Sequence, residues 1–91
     1  MLFYPSILFP PDENGVSGCI VPDLLINAGG ASPDDALRDA ARSMVELFAM
    51  MDRDGEPFPE PTPAEEMELR GGTLVLIGAP PPAVVRTSAA A

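Results

Sequence analysis

Fourteen acidic side chains, five basic ones and no histidine decide which chemistry this chain of 91 residues can carry. Carboxylates can hold divalent cations or move protons, but only where the fold gathers them. Asp12 and Glu13 stand in a turn-forming run, where carboxylates are solvated. Asp52, Arg53, Asp54 and Gly55 resemble the start of a calcium loop, but prolines occupy the later ligand positions. Gly29–Gly30 before a helix start could cradle an anion, yet Asp34 and Asp35 at that same start repel one. Cys19, Ser17 and Ser43 are potential nucleophiles without a histidine to act as base. The single cysteine also excludes an internal disulfide and a multi-cysteine metal site. No catalytic, cofactor-binding or metal-ligating residue is therefore expected, and the chemistry points to binding.

The net charge of −9 narrows the partner. Phosphate backbones demand Lys and Arg, so direct nucleic-acid binding by this chain is not expected. A basic protein partner, or plain solubility, fits the acidic balance. A chain of this length buries only roughly 60–65% of its extended surface, which leaves room for one modest core and favours self-association. The opening residues MLFYPSILFP lack a basic stretch and carry two prolines, so a secretion signal is not expected. No apolar run approaches the ~20 residues of a membrane span, and the expected location is cytoplasmic.

One element must position everything else. Ser32 to Gly55 reads as a long helix with both ends encoded. Ser32 can accept a hydrogen bond from the first turn. Pro33 follows where a missing N–H costs nothing. Asp35 stands where a capping box places its acid, and Asp34 and Asp35 suit the positive end of the helix dipole. Gly55 is the natural left-handed residue at the exit. Leu37, Ala40, Ala41, Met44, Val45, Phe48 and Met51 recur at three- and four-residue spacing, one apolar stripe in need of a sheet. Asp34–Arg38 and Arg42–Glu46 have the spacing of helical ion pairs.

The flanking segments supply that sheet. Leu2 to Phe9, Val16 to Val21 and Leu24 to Ala28 read as three strands separated by Pro/Gly/Asp turns, an antiparallel meander. Gly29–Gly30 punctuates the step into the helix. After the helix, proline at positions 57, 59, 61 and 63 forbids helix and imposes an extended connector. Thr62, Pro63 and Glu65 form a second capping box, predicting a short helix to about Glu68. Thr73 to Ile77, bounded by glycine, reads as a fourth strand, and 80–91 as a loose tail. The predicted class is α+β, in the order β-β-β-α-α-β, with the long helix packed on one face of the meander. The fourth strand is expected beside the first and parallel to it, which resembles a truncated RNase H-like sheet. A two-metal nuclease of that type needs a carboxylate on its first strand, and Leu2 to Phe9 contains none.

Several short motifs, in order, are similar to the HicB antitoxin family: Tyr4–Pro5, the turn from Pro11 to Gly15, Pro22–Asp23–Leu24, Asp34–Asp35–Ala36–Leu37, and Asp54 to Pro61. The resemblance spans residues 3–78 and makes 1–79 one HicB-like domain. It implies a partial RNase H-like fold without the nuclease site. It further implies binding and neutralisation of a small basic RNA-cleaving toxin, HicA, in a type II toxin–antitoxin system, and a homo-oligomer, dimer or tetramer. Two departures stand. Where the family often carries Pro-Gly-Cys, this chain has Leu25, Ile26 and Asn27. Beyond Gly78 there is one basic residue, Arg86, and no DNA-binding pattern. With a basic toxin as partner, the acids in the loops and at the helix start become the expected partner-binding residues: Asp12, Glu13, Asp23, Asp34 and Asp35. The alternative reading is an orphan HicB-like oligomer without a toxin, or with an accessory binding role.

Overall fold

The long helix forms between the predicted ends. A computed structural model describes residues 2–78 and 84–86. In it α1 spans Pro33–Asp54, the Ser32 Oγ accepts the Asp35 N–H at 3.1 Å, and Gly55 closes the helix at φ 71°. Ala36, Leu37, Ala40, Met44, Phe48 and Met51 are buried along one side. Val45 leaves the expected stripe: it is 43% exposed, because it projects about 100° around the helix from Met44.

Five strands make one antiparallel sheet: β1 Phe3–Leu8, β2 Ser17–Val21, β3 Ile26–Gly30, β4 Thr73–Gly78 and β5 Val84–Arg86, in the order β3-β2-β1-β4-β5. The class is α+β as expected, and α1 lies mainly over β3 and β2. Tyr4, Leu8, Cys19, Val21, Val75 and Ile77 alternate toward the helix and form the core with it.

Three expectations need correction. First, β4 pairs antiparallel with β1, Leu8 opposite Thr73 and Phe3 opposite Gly78. The reason is the connector. The helix carries the chain back along the sheet, and the proline-rich run then returns it a second time, so β4 enters beside the end of β1. Second, Leu24, expected to open the third strand, belongs to a 3-10 turn, Pro22–Leu24, closed by Leu25 at φ 55° and 90% exposed. The third strand therefore starts later and takes in Gly29 and Gly30, which pair with Gly18 and Ser17. Third, Thr62 caps no helix. Only Ala64–Glu66 turns, as 3-10, because Thr62 donates its N–H and its hydroxyl to the Asp23 carboxylate at 2.8 and 2.6 Å. Within the expected tail, Val84–Arg86 instead form β5; the rest of 80–91 lies outside the described residues.

Gly30 lies hard against the first turn of α1. A Cβ there would lie 2.5 Å from the Asp35 Cβ and 2.9 Å from the Ala36 nitrogen. The step from β3 into α1 thus requires glycine for space. Cys19 faces the same core, and burial pushes its thiol up to about 11. In the folded protein at pH 8, Cys19 is expected to resist a disulfide reagent and to react fully only in denaturant; rapid labelling of the folded chain would contradict this burial.

Candidate partner-binding surface

The register sorts the five expected partner residues into two places. The β1–β2 turn and the start of α1 share one end of the sheet, since Ser17 at the start of β2 lies opposite Gly30 at the end of β3. Asp12, Glu13, Asp34 and Asp35 therefore gather at that end. A depression of about 230 Å³ at that end is lined by Phe9 and Pro10 from the turn, Pro33 from the helix start, and Leu8, Gly71 and Thr73, and by none of the four acids. Asp23 lies at the opposite end, beyond the last residue of β2, about 16 Å away along the strand. It is engaged with Thr62 there and does not join the cluster.

The four gathered acids are not equivalent. Asp12 builds its own turn: its Oδ1 accepts the N–H groups of Asn14 and Val16 at 2.8 and 3.0 Å. Arg38 donates to Asp35, and Asp34, at the expected i,i+4 position, also attracts the Arg38 guanidinium. Glu13 and Asp34 are exposed.

Positive charge at the described surface is already answered within the chain. Arg38 pairs with Asp35, Arg42 with Asp39 and Glu46, Arg53 with Asp54, and Arg70 with Glu68. Each exposed pair stabilises the fold little. Their consequence is electrostatic: the remaining carboxylates set the outer field.

Asp39 is a structural acid the sequence reading overlooks. Its Oδ2 accepts the Gly29 N–H at 3.2 Å, so the helix satisfies one outward donor of the edge strand β3. Its position four residues after Asp35 on a polar face gives no local sign of this reach. The Gly29 N–H first, and Arg42 second, hold the Asp39 carboxyl below the usual range. Arg38, then the Ser32 hydroxyl, do the same for Asp35. Both shifts are downward. Their stabilisation is thus complete above the unfolded carboxyl value of about 3.9 and is lost as pH falls through the lower folded values. The Asp35→Asn/Asp39→Asn double variant is expected to lose melting temperature less steeply than the wild type below about pH 4; parallel curves would show that these contacts do not titrate with folding.

Helix α1 borders three further depressions, one of about 580 Å³ beside β3, lined by Gly29, Asp35, Arg38, Asp39 and Arg42, and two along its other flank. Of these two, one, of about 460 Å³, is lined by Asp34, Leu37, Arg38, Ala41 and Val84. The other, of about 410 Å³, is lined by Val45, Phe48, Ala49, Asp52 and Phe58. Among the described residues no cluster of three His, Cys, Asp or Glu side chains could hold a metal ion. None of the described helices is long and apolar enough to cross a membrane. Comparison with protein-family models, with curated proteins and with solved structures finds no match to this chain.

Proposed function

We propose that this chain is a HicB-type antitoxin that binds and neutralises a small basic RNA-cleaving toxin of the HicA kind in the cytoplasm. The supporting observation is the gathering of Asp12, Glu13, Asp34 and Asp35 at one end of the sheet of a chain with net charge −9. A toxin that grips RNA presents a cationic surface, and a field of the opposite sign both steers the encounter and covers that surface. The ordered motifs from Tyr4 to Pro61 point to the same family. The three-strand meander followed by a helix fits the partial RNase H-like part of this reading, although β4 departs from the parallel direction first expected. We extend the proposal to a homo-oligomer: β5 leaves Val84 and Val85 exposed at the edge of the sheet.

Surface plasmon resonance against the basic product of a neighbouring open reading frame tests the pairing. The association rate should fall steeply as salt rises from about 50 to 500 mM, with dissociation changing less. Absence of binding at low salt, with both proteins folded, would defeat the proposal.

A further inference from the structure

We propose that the flank of α1 from Asp34 to Asp52 is a docking groove for a basic amphipathic helix of a partner protein. The proposal rests on the antitoxin reading and deepens it, by naming the surface that holds the basic partner.

The groove is written in spacing. Asp34, Val45 and Asp52 are separated by eleven and seven residues, close to whole numbers of helical turns, so they fall on one line about 90° from the buried stripe. That line runs about 27 Å, at 1.5 Å per residue. The two depressions lie along it, one ending at Val84 of β5, the other at Phe58 of the connector. Their floor is apolar, Leu37, Ala41, Val45 and Ala49 with Phe48 beneath; Arg38 also lines the first depression, its charge answered by Asp35. A carboxylate stands at each end. Val45 is 43% exposed in the middle of this line, where a solvated helix face would carry a polar residue.

Charge and backbone chemistry choose the occupant. A second copy of the chain would bring its own net charge of −9 against Asp34 and Asp52. A basic segment meets attraction at both ends. The walls offered by α1 are side chains, because its backbone groups are used within the helix. An extended segment laid there would leave its own N–H and C=O groups unpaired. A helix satisfies its own, and can set apolar residues at i, i+3/i+4 and i+7 into the floor. Its lysines or arginines then reach Asp34 and Asp52.

The test uses a fluorescein-labelled synthetic peptide of eighteen Leu and Lys residues, roughly one helix the length of the groove, with leucines at helical spacing. A scrambled peptide of equal composition is the control, and anisotropy is read at about 150 mM salt. The informative variant is Val45→Asp, which removes an exposed apolar anchor and adds a negative charge. Docking in the groove predicts weakening by about tenfold or more. Attraction by charge alone predicts unchanged or tighter binding, and that result would overturn the proposal, as would equal affinity for the scrambled peptide. Circular dichroism confirms that the variant is folded. In a toxin-cleavage assay, a Val45→Asp chain that neutralises at wild-type stoichiometry overturns the groove alone. A wild-type chain that fails to neutralise overturns the antitoxin reading.

Discussion

Phe48→Ala is expected to lower the free energy of unfolding by about 3–5 kcal/mol, the largest loss from any single core truncation here. Phe48 is 1% exposed and stands between two other rings. Its centroid lies 5.6 Å from that of Tyr4 and 4.2 Å from that of Phe58, both in tilted geometry. Truncation therefore removes transfer free energy, leaves a cavity that the sheet cannot fill, and deletes two aromatic contacts. A domain of 91 residues has a total stability of only about 5–14 kcal/mol. The variant should thus be near the edge of folding at 37 °C. Urea denaturation at an unchanged m-value measures it. A loss below about 1 kcal/mol would mean that the helix is not clamped to the sheet through this ring.

Asp23→Ala is expected to cost about 2–3 kcal/mol, because two hydrogen bonds to a charged acceptor are lost together. Both come from Thr62, 39 residues along the chain, and both oxygens of Asp23 are used. Tyr4 adds a second tie three residues earlier in the connector, donating its hydroxyl to the Pro59 carbonyl at 2.6 Å. These contacts hold the proline run against the end of the sheet. The Asp23→Asn variant should recover roughly half the loss, since the amide can still accept the Thr62 N–H. A double-mutant cycle with Tyr4→Phe reads the coupling between the two ties, and strict additivity would show that each acts alone.

These two sites also show what the amino-acid sequence discloses and what it withholds. The ends of α1 are local chemistry. Ser32, Pro33 and Gly55 act on backbone groups within a few residues, so their reading transfers directly to the structure. The strands around Ile7, Cys19 and Val75 are likewise carried by short apolar runs of five or six residues bounded by turn residues. Thr62 is different. Its capping-box pattern is sound locally, but a carboxylate 39 residues away competes for the same hydroxyl and prevails. Gly29 and Gly30 read as punctuation because glycine is weak in strands. They are strand because pairing with β2 supplies the hydrogen bonds, and at Gly30 the helix start leaves no space for a Cβ. The direction of β4 depends on where residues 56–72 travel, which local pattern does not specify. The same limit applies to the partner surface. The register brings Asp12, Glu13, Asp34 and Asp35 to one end and leaves Asp23 at the other. The flank line through Asp34, Val45 and Asp52 was available in the spacing, but an apolar residue at a stripe margin reads as core until its exposure is known.

The central claim is neutralisation of a basic ribonuclease, and RNA cleavage by the cognate toxin, titrated with this chain, measures it most directly. The account predicts that cleavage falls linearly with added chain and stops at a fixed molar ratio, with inhibition relieved at high salt. Undiminished cleavage at a large molar excess of folded chain would contradict it.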